Sequence, residues 1–146
     1  MATIESIEEA LQTINESIDG VKTAPIKMPG VIDSVNLPMA LSYPGPGEHE
    51  GRSFSDLTTA RIWTIRLYVS PIGAGRGVDE GYHNTLPFLE RFRDEYSSQE
   101  HQASDHWCSL EAVGDSGVLA DMTLHNAPTE EYYWGIEVRV RVLTKG

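Results

Sequence analysis

Glu131-Tyr132-Tyr133-Trp134-Gly135-Ile136-Glu137-Val138-Arg139-Val140-Arg141-Val142-Leu143 is the stretch that decides the fold class. Ile136, Val138, Val140 and Val142 fall on one face of an extended chain, and Glu137, Arg139 and Arg141 fall on the other. That alternation marks a strand buried on one side. The sequence stops soon afterwards, so this strand is expected to find its partners already made and to complete a sheet.

Upstream, Asn126-Ala127-Pro128 turns the chain into that strand. Val118, Ala120, Met122 and Leu124 alternate with Leu119, Asp121, Thr123 and His125, and His106 to Val113 reads as a further strand. Gly114-Asp115-Ser116-Gly117 is predicted to be the turn between the two. Cys108 reads as a buried thiol on the first of them. Arg61–Val69 alternates as clearly. Trp63, Ile65, Leu67 and Val69 face one way, and Ile62, Thr64, Arg66 and Tyr68 the other. Its partly polar second face fits a sheet covered on one side only.

Two helices complete the pattern. Ile4, Ile7, Leu11, Ile14 and Ile18 recur at spacings of three and four, which predicts a helix over about 4–18. Thr3 can cap its start, Glu5, Glu8 and Glu9 suit the positive end of its dipole, and Gly20 can end it. Tyr82, Leu86, Leu89, Phe92 and Tyr96 predict a second helix over about 78–97. Pro87 should kink it or begin its regular part. Between the first helix and the Arg61 strand, Pro25, Pro29, Pro38, Pro44 and Pro46 favour an extended arm or loop at about 25–51. Within it, Leu37–Tyr43 can form a short strand near an edge, and Pro44–Gly51 reads as a loop. The expected architecture is α+β in a single domain, residues 1–146. A mainly antiparallel sheet carries an N-terminal and a central helix on one face and closes with a C-terminal β-hairpin.

At 146 residues the chain is long enough to bury a core without staples, and 40% hydrophobic content is ordinary for a globular domain. Asp and Glu number 22 against 11 Lys and Arg, a formal net charge of −11. Such a balance argues against wrapping nucleic acid, which needs clustered cations. It favours solubility and tolerates a surface past which DNA slides. Cys108 alone cannot form an internal disulfide. Neither a signal-peptide pattern nor an apolar run of membrane length is present, so the chain reads as soluble and cytoplasmic.

Motifs for chemistry are weak. Gly73-Ala74-Gly75-Arg76-Gly77 follows a strand and precedes a helix, but Val78 stands where a dinucleotide fingerprint needs glycine, and no Gly-Lys-Ser/Thr follows. His101, His106 and Cys108 lack metal-ligand spacing, and Glu48-His49-Glu50 lies in a Pro/Gly segment that would not preorganise an ion. No nucleophile elbow is present. Catalytic, cofactor and metal residues are therefore expected to be none. Arg66, Arg139 and Arg141 are expected to share the outer sheet face. There they either pair with Glu137 or meet an acidic neighbour such as the first helix.

The acidic first helix, the stretch ending in Leu37-Pro38-Met39-Ala40-Leu41-Ser42-Tyr43-Pro44-Gly45, the strand Arg61–Val69, the Gly-rich loop 71–77, the helix Leu86–Tyr96 and the closing Tyr133–Val142 together resemble the tail terminator (tail completion or neck) proteins of long-tailed bacteriophages. The resemblance is one of pattern over most of the chain. It implies a non-enzymatic structural virion protein, assembled in the host cytoplasm, that forms a homo-hexameric ring on the tail tube. The ring ends tube polymerisation and offers a surface to the head-tail connector, while DNA passes through the lumen without specific binding. It needs no cofactor and no membrane. Residues expected at subunit or tube interfaces are Arg66, Arg139, Arg141, Glu48, His49 and Arg76. Two other readings stand beside it: a related head-closure protein, or a small α+β ligand-binding domain with a pocket lined by Trp63, Tyr68, His125 and Trp134.

Overall fold

The computed structural model describes residues 3–27, 29, 32–51, 57–72, 77–102, 104–124 and 132–145. Its elements are α1 (Ile4–Ser17), β1 (Met39–Glu50), β2 (Thr58–Pro71), α2 (Val78–Thr85), α3 (Pro87–Tyr96), β3 (Ser109–Met122) and β4 (Tyr133–Lys145). The four strands form one antiparallel sheet in the order β1-β2-β4-β3. The fold is α+β, as the periodicities predict. No helix among the described residues is long and apolar enough to cross a membrane.

Helix α1 starts where the sequence suggests. The Thr3 hydroxyl accepts from the Ser6 amide at 3.0 Å, and the Ser6 hydroxyl accepts from the Thr3 amide at 2.9 Å, so two otherwise orphaned donors are satisfied reciprocally. Ile7, Leu11, Ile14 and Ile18 are buried, whereas Ile4 at the helix start is half exposed. These residues, with Phe88, Phe92 and Tyr96 of α3, pack on the inner face of the sheet. That face is built from Trp63, Ile65 and Leu67 of β2 and Ile136, Val138, Val140 and Val142 of β4. Burial of each such side chain contributes about 1.5–3 kcal/mol. A smaller cluster (Met39, Leu41, Tyr43, Tyr68, Met122, Leu124 and Tyr133) covers one end of the outer face.

A polar chain runs through the helix-sheet interface. The Tyr96 hydroxyl donates to Asn15 Oδ1 at 2.5 Å, and Asn15 Nδ2 donates to Gln12 Oε1 and Ser42 Oγ at 2.9 and 3.0 Å. Ser42 Oγ donates to Gln12 Oε1 at 2.8 Å, and Gln12 Nε2 reaches the carbonyls of Pro25 and Ala40 at 2.6 and 3.0 Å. These groups tie α1, α3 and β1 together. Neither Gln12 nor Asn15 belongs to the apolar stripe read from the sequence, yet both are buried.

Five expectations need correction. Pro44–Gly51 is not a loop: β1 continues to Glu50, with a register shift between Pro44 and Gly47. It is an edge strand, where a missing proline N–H interrupts no interior ladder. Gly114–Gly117 is not a turn, because β3 runs through it with irregular pairing, and Gly117 takes φ +73°. The strand expected from His106 begins at Ser109, and Cys108, just before it, is exposed. The central helix, by contrast, breaks at Leu86 and Pro87 opens its regular part as α3, one of the two outcomes expected of a residue without an amide hydrogen. Its buried line is Gly81, Thr85, Phe88, Phe92 and Tyr96, while Tyr82 and Leu86 face solvent.

Candidate functional site: the outer sheet face, the hairpin arm and an end cleft

Register places the arginines. Thr64 lies opposite Arg139, Ile62 opposite Arg141 and Arg66 opposite Glu137, so all three guanidinium groups leave the face away from the helices. Arg66 Nε meets Glu137 Oε1 at 3.1 Å, and its Nη1 donates to the Thr123 carbonyl at 3.0 Å. Burial alone lowers the Arg66 pKa. Its contacts with the Tyr68 hydroxyl and the Glu137 carboxylate outweigh that and hold it above its ordinary value, so it stays charged. Arg139 donates to Ser116 Oγ at 2.9 Å and to the Asp115 carbonyl at 3.1 Å, and Ser116 Oγ donates to Glu137 Oε2 at 3.3 Å. Arg141 reaches Glu111 at 3.4 Å. The result is a charged ladder across β2, β4 and β3. Its pairs are part exposed, so each adds at most about 1 kcal/mol to stability.

The far end of the β1–β2 hairpin forms an exposed arm of the sheet, its inner side facing Ile4 and Ile7 of α1 and its β2 strand paired with β4 as far as Thr58. From Pro44 to Glu50 no residue of β1 is buried. Arg61 Nη1 donates to the Gly45 carbonyl at 2.7 Å and braces the arm from β2. Gly45 itself permits close approach, because a Cβ there would press on the Ile62 carbonyl. Glu48 and Glu50 lie opposite Ala60 and Thr58 on the outer side. His49 lies opposite Thr59 on the inner side, with Nδ1 2.9 Å from Thr59 Oγ1. Glu48 and His49 are thus strand residues, and Glu48 shares the outer face with the ladder, opposite Ala60 and two residues along β2 from Ile62, the neighbour of Arg141. Arg76 and the rest of the 73–76 loop lie outside the described residues, as does His125.

The pocket expected around Trp63, Tyr68 and Trp134 does not form. Trp63 and Tyr68 are fully buried on opposite faces of β2, and the Trp134 indole lies against the backbone of α2 at Gly81. A recess lies at the other end of the sheet from the arm. It is a cleft of about 530 Å³ between Leu37–Pro38, the end of β2 at Val69–Pro71, and Asn84, Phe88 and Arg91. Arg91 stacks over the Phe88 ring at 5.0 Å and donates to the Asp19 carbonyl at 3.2 Å. None of the ion pairs among the described residues includes it. Ser70, 8% exposed, lines the same cleft, and its hydroxyl has no partner among the described residues. Sequence reasoning missed this site, because Arg91 reads as an ordinary solvent-facing helix residue and Ser70 as the start of a loop.

One cluster has metal-like proximity: Glu95, Glu100 and His101, with His101 Nε2 at 2.8 Å from Glu95 and 3.3 Å from Glu100. It joins the end of α3 to the turn that follows, and these distances are equally those of two ion pairs to one imidazole. Neither His106 nor Cys108 takes part. No protein-family model matches this chain, and no curated protein sequence matches it.

Proposed function

We propose that this chain is a structural subunit of a phage tail: a terminator that assembles as a ring on the tail tube, ends its polymerisation and presents a surface to the head connector. The observation that supports this reading most is the outer sheet face. Strands of 12 to 14 residues leave much of one face without a helical cover, and a charged ladder of Arg66, Glu137, Arg139, Arg141 and Glu111 lies across it. The arm adds the exposed carboxylates of Glu48 and Glu50, on the outer side of an edge strand. A ring needs two different patches per subunit, since a closed heterologous interface joins unlike surfaces. The ladder and the acidic outer side of α1 are of suitable sign to serve as one such pair.

Electron microscopy of the purified protein, alone and mixed with tail-tube protein, tests the role. Rings, or tubes of limited length bearing a cap, are expected. Protein that leaves tube growth unchanged at equimolar concentration would overturn the proposal. Rings that bind the portal assembly and ignore tubes would reassign the chain to head closure.

A further inference from the structure

We propose that the end cleft receives the β1–β2 hairpin arm of a second copy of this chain, with Glu48 or Glu50 of the arm meeting Arg91 of the cleft. The contact gives the ring reading a specific joint and rests on that reading for closure into a ring.

Arg91 is a half-buried guanidinium without a carboxylate partner among the described residues, in a chain where acids outnumber bases two to one. Its stacking on Phe88 and its bond to the Asp19 carbonyl hold the group in place but leave donors free, a preorganised fork for a carboxylate. The recess is large enough for a protein side chain and its neighbours, since about 300–1,000 Å³ is the usual range of ligand sites. At the far end of the molecule the arm offers what the cleft lacks. Glu48 and Glu50 are exposed, lie two residues apart on one side of a strand, and take part in no ion pair among the described residues.

The arm cannot reach its own cleft. β2 joins the two, beginning at Thr58 beside the arm and ending at Pro71 in the cleft. Its 14 residues span about 45 Å of extended chain. The occupant must therefore be another molecule, and a copy of the same chain carries the complementary group by construction. Such a contact is head-to-tail, so each copy gives its arm to one neighbour and its cleft to another.

Charge reversal with sedimentation velocity tests the joint. Arg91→Glu, and separately Glu48→Arg with Glu50→Arg, should each raise the apparent dissociation constant of self-association on the order of tenfold or more. The triple variant should recover much of the loss, which a folding defect could not do. Arg91→Gln guards against local disruption of α3 and should weaken association in the same direction. Unchanged association of folded Arg91→Glu would overturn the joint, and so would wild-type protein that stays monomeric at millimolar concentration. Tube capping is scored on the same preparations. Capping that survives Arg91→Glu overturns the joint and leaves the terminator reading standing. Self-association through the cleft without any effect on tubes does the reverse.

Discussion

Tyr96 is wholly buried, and its hydroxyl is the first donor in the chain that runs through Asn15, Gln12 and Ser42 to the Pro25 and Ala40 carbonyls. Desolvation first, and then the nearby Glu95 charge, push its pKa well above the ordinary 10.0. The sign of the effect follows from proton binding. Below about pH 10 both folded and unfolded chains keep the proton, and the stabilisation is complete. Above it the unfolded chain loses the proton while the folded one retains it, so stability falls as pH rises, by up to about 1.4 kcal/mol per unit from this group. Tyr96→Phe should flatten that alkaline limb. It should also lower stability at pH 7 by about 1–3 kcal/mol, because Asn15 Oδ1 loses its donor in a dry site. Urea unfolding between pH 8 and 11 measures both effects, and equal alkaline slopes in the two proteins would sink the assignment.

Among the elements, the contact between α2 and β4 leaves no room for a side chain on the helix at Gly81. A Cβ on Gly81 would collide with the Trp134 indole. In an open helix Gly→Ala stabilises by about 1 kcal/mol, but here overpacking reverses the sign, and Gly81→Ala should cost about 1–3 kcal/mol. Gly77, at the N-cap of the same helix, has open space around its Cβ position and φ of −70°. Gly77→Ser should raise stability by a few tenths of a kcal/mol by adding a cap acceptor. Thermal melts of the two variants should therefore move in opposite directions. This scale also separates what the sequence could reveal. Interior alternation in Trp63–Val69 and Ile136–Val142 located β2 and β4, because burial on one face leaves a period of two. Both misread segments, Pro44–Gly51 and Gly114–Gly117, lie on the edge strands β1 and β3. At an edge, proline and glycine are tolerated in bulges, and in sequence they look the same as turns. The outer arginine face was legible, since register follows from alternation. The end cleft was not, because it brings Ser70 at the end of β2 together with Arg91 in the middle of α3, and no local spacing records that.

For the whole molecule, assembly should separate from folding. Arg139→Glu with Arg141→Glu places carboxylates on the ladder and sets residue 141 against Glu111 across the strands. The like-charge pair costs about 0.2–1 kcal/mol, too little to unfold a domain of this size. The double variant should keep its circular dichroism and a cooperative melt but form no rings in electron micrographs. Intact rings would remove the ladder from the interface. The sheet order carries a further consequence. β4 lies between β2 and β3, yet both are earlier in the sequence. Until residues 133–145 are in place, the β1–β2 hairpin and β3 have nothing to join them, and each has an open ladder edge. Closure of the sheet therefore depends on β2–β4 contacts of long sequence separation, which slow folding. Until β4 slots in, Glu137 and Arg141 have no strand to hold them between Arg66 and Glu111, so the charged ladder is among the last features of the sheet to appear.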